Sequence, residues 1–320
     1  MIGRPLRHAI EAFSLMLMQS EADAERVRQL GAPATRVHVC GNLKYDFKPD
    51  ESSITQTSES MTRIAVLSAS ESNIERVESF KNSDCSSAST PYPLIVAGST
   101  APGEEEMLLA ALREVRTCTG LEDTRLLLAP RHPERFEEVA RLIHQSQLKF
   151  VRRSEHRVNT HSTGSSESPR ISPPVSDLSR EERSCDVLLL DTIGELSSIY
   201  RFASVVFVGG SLVPRGGHNI IEPAAYAKPI IVGPHTENFR QIISDFIKEQ
   251  AVIQIQSCDA LSKELKRLLS HPEQAEAMGA RACNILIANR GAAERTVAKI
   301  IDLMANQRQN RREQKQLRTV

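Results

Sequence analysis

A glycine-rich segment at residues 209–223, GGSLVPRGGHNIIEP, carries the residue types best suited to ligand chemistry. An apolar run leads into its first Gly-Gly pair, and a second pair precedes His218, Asn219 and Glu222. Glycines let backbone N–H groups approach a phosphate closely, and the start of a following helix favours negative charge. Glu222 is placed to accept hydrogen bonds from a ribose diol. The segment therefore predicts a strand, an anion-binding loop and a helix, with a nucleotide as ligand.

Polar residues also follow three other apolar runs of the chain. They are Ser99 with Thr100, Arg131 with His132, and Ile193 with Gly194 and Glu195. Ligands of open parallel sheets bind at the carboxyl ends of the strands, so these loops are expected to share one site with the glycine-rich segment. A guanidinium such as Arg131 clamps a phosphate or carboxylate. Glu195 is suited to a sugar or base hydroxyl or amine.

A purely structural role stays open for several of these residues. Glu195 could equally be a carboxylate that the positive end of the helix dipole favours near the start of a helix. His218 could equally be a loop or cap residue. The Gly-Gly pairs are also compatible with simple turns. The acidic run at 104–106 is expected to be the solvated first turn of a helix, for the same electrostatic reason.

Short apolar runs alternate with helical patterns from residue 94 onward. Strands are expected at 94–97, 126–129, 187–190, 205–208, 230–232 and 252–255, and three helices close the chain. Upstream, the sequence predicts a strand at 15–19, a helix capped by Ser20 and ended by Gly31, and a strand at 37–40. Apolar strands that are bounded by glycines and alternate with helices predict an α/β fold with a doubly wound parallel sheet.

Two polar stretches interrupt this pattern. Residues 48–93 are expected to form a linker, and residues 152–185, rich in Ser and Pro, a disordered insertion. The remaining segments are a strand–helix–strand unit at 1–47, a larger domain at 94–306 and a basic tail at 307–320.

Composition excludes several classes of function. The 320 residues include 40 Lys and Arg against 40 Asp and Glu, so no net charge favours nucleic acid. Trp is absent and aromatics are 4%, which disfavours base-stacking modules. Six irregularly spaced cysteines without a Cys-x-x-Cys pair disfavour a zinc site or a disulfide framework. The absence of Gly-x-x-x-x-Gly-Lys-Ser/Thr and Gly-x-Gly-x-x-Gly disfavours P-loop enzymes and dinucleotide dehydrogenases.

The glycine-rich segment resembles the donor domain of the 3-deoxy-D-manno-octulosonic acid (Kdo) transferase family. Other segments resemble the same family, in the same order along the chain. They are QSEADAER (19–26), GNLK (41–44), AGST (97–100), GEE (103–105), PRHPERF (130–136), DTIGEL (191–196), KPIIVGPH (228–235) and NF (238–239). The linker and the insertion match nothing in the family.

The resemblance implies a GT-B glycosyltransferase, with two Rossmann-like domains that face a cleft. Such an enzyme transfers Kdo from CMP-Kdo to the lipid A precursor lipid IVA in lipopolysaccharide biosynthesis, without a metal or other cofactor, at the cytoplasmic face of the bacterial inner membrane. Residues 1–47 would end the acceptor domain, and 94–306 would form the donor-binding domain. By motif position, the CMP contacts are Arg131, His132, Ile193, Gly194, Glu195, Asn219, Ile220, Ile221 and Glu222. Ser99, Ser211, Gly217 and His218 would line the same site.

The chain departs from the family pattern in two ways. Family members carry a longer N-terminal domain, with the acceptor site, a membrane-proximal segment and a glutamate general base. No residue here matches that base, so no catalytic residue is assigned, and the chain alone is expected to be soluble and cytoplasmic. Ala101 stands where the family usually has His. The alternatives are a non-catalytic nucleotide-binding remnant and another GT-B-like enzyme, such as a UDP-sugar 2-epimerase.

Overall fold

The computed structural model describes residues 4–49, 92–156 and 185–317. Most of the expected linker (50–91), most of the expected insertion (157–184) and the last residues of the tail therefore lie outside the described residues. The chain divides into two compact units. One comprises Met1–Lys48 with Asn284–Val320, and the other comprises Pro49–Cys283.

The first unit contains the predicted strand–helix–strand. Its elements are α1 (Arg4–Glu11), β1 (Met16–Met18), α2 (Glu21–Gln29), β2 (Val37–Val39) and the C-terminal helix α10 (Ala292–Leu317). Strands β1 and β2 pair in parallel. The Ser20 hydroxyl accepts a hydrogen bond from Asp23 N at 3.2 Å, which confirms the predicted helix cap.

Helix α10 belongs to this first unit because its start is held by the N-terminal segment. The Asp46 carboxylate accepts hydrogen bonds from Gly291 N and Ala293 N, both at 2.6 Å. Arg295 Nε donates to the carbonyl of Cys40 at 2.9 Å. The sequence-based boundary at residue 306 differs from the structural one at 283, since these contacts join residues about 250 positions apart, which no local pattern reveals.

The second unit is built on a seven-stranded, wholly parallel sheet. Its strands are β3 (Leu94–Thr100), β4 (Arg125–Pro130), β5 (Phe150–Arg152), β6 (Val187–Leu189), β7 (Val205–Val208), β8 (Ile230–Val232) and β9 (Ile253–Gln254). Its helices are α3 (Glu104–Arg116), α4 (Phe136–Gln145), α5 (Leu196–Ile199), α6 (Ile221–Ala225), α7 (Arg240–Lys248), α8 (Cys258–Ser270) and most of α9 (Pro272–Asn289), whose last residues, from Asn284, belong to the first unit. No helix in the described ranges combines the length and the apolar composition that a membrane crossing needs.

The strand order β5-β6-β4-β3-β7-β8-β9 confirms the predicted doubly wound sheet. From β3 the chain winds first towards β5 and then, from β7, towards β9. The direction of winding therefore reverses between β3 and β7, where open sheets of this kind leave a crevice for ligands. The central strands are apolar on both faces, and side chains such as Ile95, Leu128 and Phe207 are buried in one core cluster. Each such burial contributes about 1.5–3 kcal/mol to folding.

Two elements escape the sequence patterns. Helix α1 was not predicted, and β5 begins where the sequence pattern stops. Strand β5 has only three residues and ends in Arg152, so it lacks the apolar run that marks the other strands. It forms by pairing with β6, with Phe150 opposite Val187. Residues 152–156 were expected to begin the disordered insertion. Arg152 instead ends β5 at the sheet edge, and Arg153–His156 form a 3-10 turn.

The absence of a side chain at Gly98 in β3 lets Tyr200 pack closely against the strand, and a substitution at Gly98 tests this contact. A Cβ atom there would lie 2.0 Å from the hydroxyl of Tyr200, a buried residue that is only 2% exposed. We expect Gly98→Ala to lower the free energy of unfolding by about 3 kcal/mol, the upper end of typical overpacking costs, in urea titrations. The cost should shrink in a Tyr200→Phe background, because the closest atom is gone. Equal costs in both backgrounds would contradict this contact.

Candidate functional site

The predicted ligand-contact residues all lie at the carboxyl edge of the seven-stranded sheet. Ser99 is near the end of β3, Arg131 and His132 follow β4, Ile193, Gly194 and Glu195 follow β6, and Ser211 and Gly217 through Glu222 follow β7. These four strands are consecutive in the order β6-β4-β3-β7. The structure therefore brings the four loops to one edge, as predicted, around the point where the winding reverses.

The glycine-rich loop already surrounds an anion that belongs to the protein. The Glu104 carboxylate accepts hydrogen bonds from Gly210 N at 2.7 Å and from Ser211 N and Leu212 N, both at 2.9 Å. Ala101 N donates a fourth at 2.8 Å. Burial raises the pKa of Glu104, and these four hydrogen bonds oppose the rise without reversing it. The first loop N–H groups are thus committed to Glu104 rather than open to a phosphate.

The expectation that the acidic run 104–106 is solvated is wrong for two of its three members. Glu104 and Glu105 are fully buried, and only Glu106 is exposed. Glu105 accepts hydrogen bonds from Thr100 Oγ1 and from a terminal nitrogen of Arg135, both at 2.7 Å. A helix-dipole argument cannot detect this, because the partners come from β3 and from the 3-10 turn Pro133–Arg135 after β4.

Close packing explains the first glycine and the serine of the loop. A Cβ atom on Gly209 would lie 2.5 Å from the carbonyl oxygen of Ser99 and 2.8 Å from a Glu104 oxygen. Ser211 is fully buried, and its hydroxyl donates to Val208 O at 2.5 Å and accepts from Gly233 N at 2.9 Å. Ser211, predicted to line the site, therefore ties β7 to the loop after β8.

Ser99 and Gly217 also have structural reasons for their positions. Ser99 adopts a positive φ of 56° where the β3–β4 register shifts, which is a strained conformation of the kind that clusters at functional sites. Gly217 is buried, and its N–H donates to Gly210 O at 2.7 Å. Ser99 remains partly exposed at the edge, whereas Gly217 closes the loop on itself.

Charged side chains converge beside the glycine-rich loop. Burial lowers the pKa of His218, and the positive charges of Arg131 and His132 lower it further. Burial raises the pKa of Glu222, which a hydrogen bond from Asn219 and the charge of Arg131 oppose. Arg131 and His132 are exposed, while His218 and Glu222 are half-buried. The arrangement offers an exposed cation for a phosphate and an under-compensated carboxylate for hydroxyl donors.

The segment that leads into α6 presents little side-chain surface of its own. Asn219 Oδ1 accepts a hydrogen bond from Ile221 N at 3.1 Å, and Asn219 Nδ2 donates to Glu222 at 3.3 Å. The side chains of Ile220 and Ile221 are fully buried in the core. Of the four predicted contacts here, Asn219 and Glu222 offer side-chain groups, and the two isoleucines offer only main-chain atoms.

The loop after β6 is held in part by Arg153, which the sequence assigned to the insertion. Glu195 accepts hydrogen bonds from Arg153 at 2.7 Å and from the Thr192 hydroxyl. Within this loop Gly194 has a φ of 91°, and Ile193 is 76% exposed. No signal in the sequence marks Arg153 as a partner of Glu195. In the described part of the chain, no cluster of His, Cys, Asp and Glu side chains is arranged to hold a metal.

Glu104→Gln tests the role of the buried carboxylate. The amide keeps the size of the side chain but replaces one acceptor oxygen by a donor, so two backbone N–H groups lose their partner. An unpaired buried donor costs about 1–3 kcal/mol, and we expect a loss of at least about 3 kcal/mol in the free energy of unfolding, measured with urea. Glu106→Gln, an exposed neighbour in the same helical turn, should change it by less than about 0.5 kcal/mol. Equal effects of the two substitutions would contradict the assignment.

Glu222→Gln should stabilise the unliganded fold near pH 7.5. Because the folded pKa of Glu222 is raised, its ionised form costs stability above that pKa, and the cost vanishes as the pH falls to the unfolded value. The Tm advantage of the variant should therefore shrink between pH 7.5 and about 4.5. Asp191→Asn should behave oppositely, because hydrogen bonds from Ser154 and Arg152 lower the pKa of Asp191 despite its burial. A Glu222→Gln variant that is less stable than the wild type at pH 7.5 would refute the prediction.

Comparison with known proteins gives relatives over most of the chain. The 3-deoxy-D-manno-octulosonic acid transferase of Haemophilus influenzae is 30% identical over 292 residues, 91% of this chain and 56% of the relative. The enzyme of the same name from Bordetella pertussis is 31% identical over 303 residues, 94% of this chain and 59% of the relative. The chain thus spans little more than half the length of these relatives.

A family model and a solved structure also match the chain. The model described as 3-deoxy-D-manno-octulosonic-acid transferase (kdotransferase) matches residues 1–47. The C-terminal CMP-Kdo binding domain of WaaA from Acinetobacter baumannii is 27% identical with a TM-score of 0.55, covering 74% of this chain and 99% of that domain. The parallel sheet accordingly has the GT-B-type Rossmann-like fold. The chain belongs to the 3-deoxy-D-manno-octulosonic acid transferase family.

Proposed function

We propose that this chain supplies the CMP-Kdo-binding half of an enzyme that transfers Kdo from CMP-Kdo to the lipid A precursor lipid IVA. The likeness to a solved CMP-Kdo binding domain, over nearly all of that domain, is the observation that supports the proposal most. The geometry agrees with it, because polar loops from four adjacent strands meet where the winding of the sheet reverses.

The proposal gives each part of the nucleotide a partner. Arg131, an exposed cation beside the glycine-rich loop, binds the phosphate. Glu222 accepts hydrogen bonds from the ribose hydroxyls, with His132, His218 and Asn219 around it. Glu195 and the exposed Ile193 meet the base. Since Glu104 occupies the first loop N–H groups, the phosphate depends on Arg131 more than on the glycine-rich backbone.

The transfer breaks the bond between the anomeric carbon of Kdo and a phosphate oxygen of CMP, and CMP leaves. The oxygen of an acceptor hydroxyl forms the new bond to that carbon, and the hydroxyl proton passes to a general base of the whole enzyme. Negative charge develops on the departing phosphate, and a preorganised cation such as Arg131 stabilises it. The proposal assigns no general base to this chain. It places acceptor binding and association with the cytoplasmic face of the inner membrane in the whole enzyme, and it involves no metal and no nucleic acid.

Ligand protection against thermal unfolding tests the donor site. A ligand at 100 times its Kd stabilises a protein by about 2.7 kcal/mol, so saturating CMP should raise the Tm of this chain. UDP at the same concentration should raise it less. Stronger protection by UDP would favour a UDP-sugar enzyme such as a 2-epimerase, and protection by neither nucleotide would refute the proposal. Kdo transfer is then measured with the whole enzyme that contains this chain. If the chain binds CMP but the whole enzyme does not transfer Kdo, a non-catalytic nucleotide-binding protein is favoured.

Arg131→Ala isolates the proposed phosphate contact. Charge-assisted hydrogen bonds contribute about 1.5–3 kcal/mol, so we expect the Kd for CMP, measured by calorimetry, to rise at least about tenfold, while that for cytidine stays unchanged. Arg141→Ala is the matched control, because Arg141 is an exposed arginine on α4 that bonds only the Glu137 carbonyl among the described contacts. An equal loss of cytidine and CMP binding would remove Arg131 from the phosphate site.

A further inference from the structure

Three consecutive residues, the last of β5 and the two that follow it, donate hydrogen bonds to the loop after β6. Arg152 Nε donates to Asp191 at 2.8 Å. Ser154 donates to the same carboxylate from its backbone N at 2.7 Å and from its hydroxyl at 2.6 Å. Arg153, between them, donates to Glu195 at 2.7 Å. The two ends of the loop are therefore fixed by alternating residues of a single short segment.

The Arg153–Glu195 pair is more protected than a surface ion pair. The Arg153 side chain is 5% exposed and the Glu195 side chain 22% exposed. Water screens such a pair far less than an exposed one. A guanidinium is planar and presents its N–H donors in a fixed fork, so it fixes the direction of the carboxylate that it bonds.

Glu195 still has acceptor capacity towards solvent. Each carboxylate oxygen has two lone-pair sites. Arg153 bonds one oxygen and the Thr192 hydroxyl bonds the other, which leaves one site on each. An ionised carboxylate accepts hydrogen bonds and donates none. Next to it, Ile193 exposes 76% of its surface, which gives a flat apolar group something to pack against.

We propose that Arg153 is a positioning residue that makes Glu195 discriminate between nucleobases. With its direction fixed, Glu195 accepts a hydrogen bond from a donor on the edge of the base, such as the exocyclic amine of cytosine. Uracil carries a carbonyl oxygen at that place, which the carboxylate repels. This inference rests on the proposed function, because it assumes that the loop after β6 meets the base of a cytidine nucleotide.

The test compares the affinities of CMP and UMP by calorimetry. The wild type should prefer CMP. Arg153→Gln should weaken CMP binding about tenfold or more, within the usual range of coupling between contacting residues, and should reduce the CMP-to-UMP preference. Arg153→Lys keeps the charge but loses the planar fork, so its CMP affinity and its CMP-to-UMP preference should lie between those of the wild type and of Arg153→Gln. In a Glu195→Gln background, Arg153→Gln should cause little further loss.

Arg116→Gln is the matched control. Arg116 makes a comparable ion pair with Asp186, at 2.5 Å, but at the amino end of β6, on the opposite edge of the sheet. This variant should leave the Kd values for CMP and UMP unchanged. Both Arg153 variants and the control are first compared with the wild type by thermal unfolding, so that the binding data refer to folded protein.

The outcomes separate the inference from the function on which it rests. If the wild type binds CMP and Arg153→Gln keeps the preference, or weakens CMP and UMP equally, this inference is overturned and the proposed function stands. The inference is likewise overturned if Arg153→Lys is the only variant of the two that folds and it retains the full preference. If the wild type does not bind CMP, both are overturned.

Discussion

The candidate site depends on the hydrogen bonds that the buried Glu104 carboxylate accepts. This carboxylate lies where the winding of the sheet reverses, and backbone N–H groups from the loops after β3 and β7 converge on it. A buried charge is tolerated only with such partners, so neither loop can move away without leaving the carboxylate or the N–H groups unpaired. The glycine-rich loop is thus shaped by an internal anion, which occupies the N–H groups of Gly210, Ser211 and Leu212.

The acidic groups of this unit differ in how well they are compensated. Glu104 has four backbone donors, and Glu105 has the buried Arg135. Glu222 has a single side-chain donor at 3.3 Å, and burial raises its pKa. Among these three carboxylates, Glu222 is the poorly compensated one, and it lies at the edge where the ligand is proposed to bind. Such perturbed groups are concentrated at functional sites, because stability is given up there for binding.

Most of the second unit could be predicted from the sequence because its strands are buried on both faces. Runs such as 205–208 and 230–232 are continuous and apolar, and the structure begins and ends β7 and β8 at the predicted residues. The predictions were wrong or silent where an element depends on a distant partner. Strand β5 needs β6, and the acidic pair Glu104 and Glu105 needs loops from other strands. Helix α10 was expected, but its place in the first unit depends on Asp46 of the N-terminal segment.

By itself the sequence determined the alternation of strands and helices, and the polar residues that follow each strand. Since parallel strands end at one edge, those two facts suffice to gather Arg131, Glu195 and Glu222 there. Only the tertiary structure decided which polar groups face outward and which satisfy one another. Glu104 meets Gly210 across 106 positions, and Arg153 meets Glu195 across 42. Hydrogen bonds over such separations are selected by the packing of the whole sheet, which local spacing does not encode.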